Sequence, residues 1–267
     1  IKDNLKEGDS LGFNGKIFPQ ADVKKIEKAI GEKNVEIIDE YDLVGEIWAD
    51  RPEVPNSKAF VHDVKYAGKT AKEKIEEVRK EMKKKGVKYF ILGSLDDIAW
   101  VYNIRGRDVA CNPVVISYAL ISQDKAWLFV DKEKIDESVE SYLKENGIKV
   151  EDYEKVIDYV KNIEKKSKVF LDPARTNRWI YKGIPEDCKI IEGTNITTEL
   201  KGIKNSIEIK NQKNAYIKDG VAMVKFLYWL NENIDKIKIT EISASEKLEE
   251  FRKEQEGFIE PSFDTIA

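Results

Sequence analysis

Apolar residues along this chain recur in two rhythms, stretches with a spacing of three to four and short unbroken runs, and their alternation predicts a layered α/β fold. Val23, Ile26 and Ile30 lie at helical spacing and Gly31 follows them, so a helix is expected over about 19–31, between short strands at Ser10–Phe13 and Val35–Ile38. Leu43–Trp48 reads as a short amphipathic helix. Residues 51–69, with Pro52, Pro55 and no periodicity, read as a linker. A helix then starts at Thr70, where Glu73 three positions on completes a capping-box pattern; Ile75, Val78 and Met82 form its apolar stripe and Gly86 stands where a helix end favours glycine.

The run Tyr89–Leu92 predicts a buried strand, followed by a short helix near 96–103. A hairpin is expected to join Val114–Ile121 to Ala126–Val130 across Ser122–Lys125. Helices at 133–145, 152–164 and 173–180 alternate with strands near Ile148, at 168–171 and at 188–191, which argues for a mixed sheet flanked by helices. Asn205 with Glu208 forms a second capping pair. It opens a helix marked by Ile217, Val221, Val224, Phe226 and Leu227 and running to about Asn233. Thr240 opens another, with Ala244, Leu248 and Phe251 on one face and Gly257 at its end, before a strand-like stub at Phe258–Ile266. The expected layout is an α/β remnant at 1–50, a linker at 51–69, an α/β domain at 70–197 and an incomplete helical start of a further domain at 198–267. The first residue is Ile and the last two helices lack a cover, so the chain is expected to be an internal piece of a longer protein.

Charge narrows the partners. The 46 basic and 50 acidic residues leave a net charge of −4, which gives no footprint for nucleic acid, and no apolar run approaches the roughly 20 residues that span a bilayer. Cys111 and Cys188 stand 77 positions apart with no metal-like spacing; free thiols in a reducing cytoplasm are the simplest inference, with one disulfide between them as the alternative. The single histidine, His62, has no marked nucleophile beside it, so a structural or solvated role is expected and no Ser-His-Asp or Cys-His set is built. Asp96 and Asp97 open a helix, where acids favour the N-terminal dipole. Trp100, Tyr102, Trp127 and Trp229 occupy core-like positions. On these grounds alone the chain reads as a soluble multi-domain α/β protein without a complete active site.

The stretch Ser94-Leu95-Asp96-Asp97-Ile98-Ala99-Trp100-Val101-Tyr102-Asn103-Ile104-Arg105-Gly106-Arg107-Asp108 resembles a signature of the middle domain of three-domain Xaa-Pro aminopeptidases, and the likeness continues through Asn112-Pro113-Val114 and Ser117-Tyr118-Ala119. Ile47–Pro52 resembles the close of that family's first domain. Tyr216–Ala222, Thr240–Ala244, Glu249–Arg252 and Ser262–Ile266 resemble the opening of its peptidase domain. The resemblance implies creatinase-type α/β domains before a "pita-bread" catalytic domain, a cytoplasmic homodimer, and removal of the N-terminal residue from peptides with proline at the second position. It also implies two divalent metal ions, typically manganese, held by two aspartates, a histidine and two glutamates, all expected beyond Ala267. No catalytic residue and no metal ligand is therefore expected within this chain, and the chain alone is expected to be inactive. Two substrate contacts are carried over: Phe263, on the strand bordering the substrate pocket, and Arg105, whose guanidinium suits a substrate carboxylate or carbonyl. For Phe263 the alternative is core packing, and for Arg105 an ion pair with Asp108 or another acid. A stand-alone creatinase-like binding or dimerisation module is the alternative for the chain as a whole. An amidinohydrolase related to creatinase shares the fold but is disfavoured by the three-domain layout.

Overall fold

A computed structural model describes residues 2–31 and 33–266; Ile1, Glu32 and Ala267 lie outside the described residues. β1 (Ser10–Gly12) leads into α1 (Gln20–Ile30), whose Val23 and Ile30 are buried, and β2 (Glu36–Ile38) returns to pair in parallel with β1. α2 (Leu43–Ile47) is capped by Asp42, which accepts from the Gly45 N–H at 3.0 Å. Residues 51–69 are more structured than a plain linker, for they contain β3 (Phe60–Val61) and α3 (Val64–Ala67). Their local sequence lacks a period because their partners are distant in the chain.

α4 (Ala71–Lys84) carries the capping box expected of it. The Glu73 N–H donates to Thr70 Oγ1 at 3.2 Å and the Thr70 N–H donates to Glu73 Oε2 at 2.7 Å, which satisfies two of the helix's orphan donors. There follow β4 (Tyr89–Leu92), α5 (Leu95–Tyr102), β5 (Ile104–Arg105), β6 (Ser117–Ser122), β7 (Ala126–Val130), α6 (Glu137–Glu145), β8 (Ile148–Asp152), α7 (Val156–Lys161), β9 (Lys168–Leu171), α8 (Arg178–Gly183), β10 (Lys189–Glu192) and α9 (Ile196–Gly202). The chain ends in two long helices, α10 (Ser206–Asn233) and α11 (Glu241–Lys253).

Six strands form one mixed sheet in the order β10-β9-β4-β6-β7-β8. β6 is antiparallel to both β4 and β7, while the β10/β9, β9/β4 and β7/β8 pairs are parallel. The parallel pairs demand helical crossovers, and these cover both faces. Side chains alternate accordingly. Phe90, Leu92, Ala119, Ile121 and Leu128 face one cluster with α4 and α6, whereas Ile91, Leu120 and Phe129 face another with Val156, Val160 and Ile180. Strands buried on both faces read as unbroken apolar runs, which is why they are legible in the sequence.

Several helices are shorter than their periodicity predicts. The one expected at 133–145 starts at Glu137, because Asp136 accepts from the N–H groups of Ser138 and Val139 and caps it there. The one expected at 152–164 is regular only over Val156–Lys161. In place of a helix at 173–180, α8 begins at Arg178 with Asn177 as its cap; the preceding backbone instead bonds the first fifty residues, Pro173 O accepting from Ala21 N–H at 2.8 Å and Thr176 O from Gln20 N–H at 2.9 Å. The strand expected to start at Val114 starts at Ser117, and residues 258–266 form no strand.

Two buried charges lock the architecture. Asp39 receives Arg178 Nε at 2.8 Å and Lys182 Nζ at 2.7 Å, tying β2 to α8. Asp108 receives Lys134 Nζ at 2.6 Å, and both side chains are almost wholly sequestered, at 0% and 2% exposure. Burial alone would raise the Asp108 carboxyl; the bonds from Lys134, the Ile116 N–H and Ser57 override it and hold the group below the usual carboxylate range. Lys134→Met leaves that carboxylate buried without its counter-charge. It is expected to lower unfolding stability by about 3–5 kcal/mol in urea titration at neutral pH, and a loss below about 1 kcal/mol would contradict the role given to the pair.

Candidate functional site

Two cationic side chains, Lys74 and Arg105, and the imidazole of His62 converge where β3, α4 and β5 meet the start of α10. Lys74 lies on the apolar stripe of α4 between Ala71, Ile75 and Val78, and is 2% exposed. Its ammonium donates to Asn103 Oδ1 at 2.7 Å and to Trp100 O at 3.0 Å, and lies 4.6 Å from the centre of the Trp100 ring. None of these partners is a carboxylate. Burial lowers the Lys74 ammonium to about 8, with Glu208 opposing and Arg105 adding to the shift.

Asn103, fully buried, adopts the left-handed conformation with φ 51° and ends α5. Its side-chain amide donates to Lys69 O at 2.8 Å, and its carbonyl accepts the His62 N–H at 2.7 Å. This turn leads into β5, where Arg105 pairs in register with Phe60 of β3. Arg105 Nη1 donates to Ala99 O at 2.5 Å and Ile104 O at 2.9 Å, while Nε and Nη2 bond no protein group among the described residues. Burial lowers the guanidinium, against Glu208. The expected Arg105–Asp108 ion pair is not formed: Asp108 is taken by Lys134, and no acid among the described residues lies within ion-pair distance of Arg105.

His62 stacks on Tyr66, with centroids 5.8 Å apart and planes at 29°. Burial, then the charges of Arg105 and Lys74, push its imidazole down to about 4, so it is neutral near pH 7. The helix α10 enters beside this cluster. Its cap Asn205 accepts from the N–H groups of Ile207 and Glu208 and donates to Ala67 O at 2.9 Å. Gly68, at φ +71°, lets that cap approach: a Cβ there would stand 2.3 Å from Asn205 Oδ1. The arrangement is suited to holding an anionic or carbonyl oxygen with hydrogen-bond donors.

Asp96 and Asp97 sit in the first turn of α5, but their main partners lie elsewhere. Asp97 accepts from Ser94 Oγ at 2.6 Å and Thr198 Oγ1 at 2.9 Å and pairs with Lys201 at 3.0 Å, and Lys201 also bonds Asp96. They pin α9 to α5. Phe263 lies in the irregular stretch after α11, 83% exposed, and among the described residues no hydrogen bond, ion pair or ring contact joins it to Arg105. Cys111 and Cys188 are free thiols. Among the described residues no group of three or more His, Cys, Asp or Glu side chains converges in a way that could hold a metal ion, so the donor set does not fit a dinuclear centre. The residues missed in the sequence are Lys74 and Asn103. The visible signal was a lysine within an apolar helical stripe.

The family model for the creatinase/prolidase N-terminal domain matches residues 50–208, more than half of the chain. The chain belongs to this family. Its match runs from Asp50 to Glu208. Among curated relatives it is 36% identical over 279 residues to Xaa-Pro aminopeptidase 1 of Dictyostelium discoideum, covering 99% of this chain and 44% of the relative. It is 31% identical to aminopeptidase P2 of Arabidopsis thaliana, covering 100% and 42%. The chain thus spans less than half the length of these relatives. The crystal structure of an X-prolyl aminopeptidase from Caenorhabditis elegans, described as a cytosolic enzyme with a di-nuclear active site, matches 99% of this chain and 44% of its own with a TM-score of 0.92 at 28% identity. The mixed sheet flanked by helices is therefore the creatinase N-terminal-like fold. No helix among the described residues is long and apolar enough to cross a membrane.

His62 is the single histidine of the sequence, so its imidazole protons are unique in an NMR titration. The folded chain is expected to titrate near pH 4 rather than 6.5. Because the unfolded state binds the proton more tightly, this group's effect on stability is absent above pH 6.5 and becomes a destabilisation as pH falls from 6.5 toward 4. Arg105→Ala should move the midpoint upward, and a midpoint near 6.5 in the unsubstituted chain would refute the burial.

Proposed function

We propose that this chain is the front portion of a metal-dependent Xaa-Pro aminopeptidase, one that releases the N-terminal residue when proline follows it. The observation that carries this reading is the end-to-end likeness to the Caenorhabditis elegans enzyme, at a TM-score of 0.92 over 99% of the chain. In this reading residues 1–50 close a first creatinase-like domain, 51–69 link it to a second domain at 70–197, and 198–267 open the pita-bread peptidase domain. Two divalent metal ions, manganese, are held by side chains outside residues 1–267, and the chain alone has no hydrolytic activity. The whole protein is a cytoplasmic homodimer that takes peptides with proline second. Neither nucleic acid nor a membrane is a partner.

The cationic cluster supplies the contribution of this chain to substrate. Arg105, with its Nε and Nη2 edge unengaged, holds a substrate carboxylate or carbonyl oxygen, while Lys74 and Asn103 position the turn that carries it. Phe263, exposed after α11, contributes an apolar wall.

The gene that encodes this chain, expressed whole and supplied with manganese, is expected to release arginine from Arg-Pro-Pro peptides and not from Arg-Ala-Pro, while the 267-residue chain releases none. Turnover by the chain alone, or none by the whole protein, overturns the reading. In the whole enzyme Arg105→Ala should lower kcat/KM about tenfold or more, the range expected when a charge-assisted hydrogen bond to substrate is lost. An unchanged kcat/KM removes Arg105 from the substrate site.

A further inference from the structure

On the sheet face opposite the cationic cluster, a cavity of about 380 Å³ opens to solvent between the strands and α7. Strand register builds its back wall. Leu120 of β6 stands directly opposite Trp127 of β7, and Ile91 of β4 opposite Leu120. Tyr89, two positions before Ile91, therefore projects to the same face. α7 covers the inner part of this face with Val156 and Val160 and supplies Tyr159 at the mouth. The Trp127 and Tyr159 rings stand 5.6 Å apart at 66°, so two aromatic walls meet edge to face, and Tyr89 also lines the cavity. The Tyr159 ring is fixed twice, by its edge-on contact with Phe129 at 5.1 Å and by the bond from its hydroxyl to Glu151 Oε1 at 2.8 Å.

The carboxylate at this mouth has no direct partner. Asp158 lines the cavity and is exposed, and its carboxylate has no hydrogen bond or ion pair among the described residues; only its backbone carbonyl is used, by Asn162. Of the nearby lysines, Lys88 pairs with Glu164 while its ammonium lies 5.9 Å from the centre of the Tyr89 ring, Lys155 pairs with Glu151 and Asp152, and Lys161, three positions after Asp158 on α7, has no ion pair among the described residues. Three aromatic rings with a free carboxylate at the rim form an environment that attracts a cation with an apolar shell. The negative faces of the rings stabilise diffuse positive charge, and the apolar floor of Leu120 and Ile163 disfavours a strongly hydrated ion. The volume lies within the range of small-molecule pockets.

We propose that Tyr89, Trp127, Tyr159 and Asp158 form a binding site for a small alkylated ammonium cation, separate from the Arg105 cluster and independent of the peptidase reading. The cation sits against the indole and phenol faces, and the Asp158 carboxylate lies over the open side. A neutral molecule of the same shape gains the apolar contact but neither the ring electrostatics nor the carboxylate.

The test uses the 267-residue chain with choline chloride and its uncharged isostere 3,3-dimethylbutan-1-ol, at constant ionic strength. Binding is followed by NMR of the indole and tyrosine ring signals and by calorimetry. Choline is expected to shift the Trp127 and Tyr159 signals and to bind at least about five-fold more tightly than the alcohol. Asp158→Asn, on an exposed helix surface, should weaken choline by about three- to ten-fold while leaving the alcohol unchanged. Trp127→Leu should abolish choline binding with the far-UV circular dichroism preserved. Equal affinity for the two probes, choline shifts confined to other residues, or no shift up to about 100 mM choline would each overturn the site. Asp158→Asn keeps the test valid if Trp127→Leu fails to fold.

Discussion

The ammonium of Lys74 is the constraint around which the front face of this molecule is organised. An isolated cation in an apolar layer costs several kcal/mol unless its protons find acceptors. Here they find the Asn103 side chain and the Trp100 carbonyl, with the Trp100 ring below. Both acceptors belong to the last turn of α5, so satisfying the lysine fixes α4 against that turn. Asn103 then takes the left-handed conformation, sends the chain into β5 and presents its carbonyl to His62. The positions of Arg105 and His62 follow from that one buried charge. No carboxylate is in direct contact with the three groups; burial lowers the proton affinity of each, Arg105 adds to the shift at Lys74 and His62, Lys74 adds to it at His62, and a donor-rich patch results.

The other buried charges act at seams. Asp39 joins β2 to α8, Asp97 joins α5 to α9 through Thr198 and Lys201, and Asp108 joins the loop before β6 to Lys134. Each is stabilised by several donors at once, which keeps it ionised despite burial. These seams lie between elements distant in sequence, where directional bonds select one docking geometry among the many that apolar contact alone would allow.

α10 shows the opposite condition. Only Ala222 of its 28 residues is buried, and Ile217, Val221, Val224 and Leu227 are 67%, 43%, 68% and 55% exposed. Most of the apolar stripe that signals the helix stays exposed; α10 bonds Ala67 through its cap and lies along α11, with the ion pair Arg252–Asp219 and a second, Lys225–Glu254, to the residue that ends α11. An amphipathic stripe identifies a helix through local spacing, but it does not say which surface meets it.

Local spacing along the chain sets whatever depends on neighbours within a few residues. The capping boxes of α4 and α10, the apolar runs of β4, β6, β7 and β9, and the signature from Ser94 to Asp108 were all legible, because the residues that satisfy one another stand three or four positions apart or lie in strands buried on both faces. The shortened helices at Asp136 and Asn177 were not, since cap competition and backbone bonds to Gln20 and Ala21 decide where a periodic pattern stops. Packing across the fold sets that Lys74 lies beneath Trp100, that Asp108 pairs with Lys134 and not with Arg105, and that Tyr89, Trp127 and Tyr159 share one cavity. These pairings close loops of 25 to 70 residues, and many partners satisfy the same local pattern until packing leaves one of them within reach of a hydrogen bond or a ring contact.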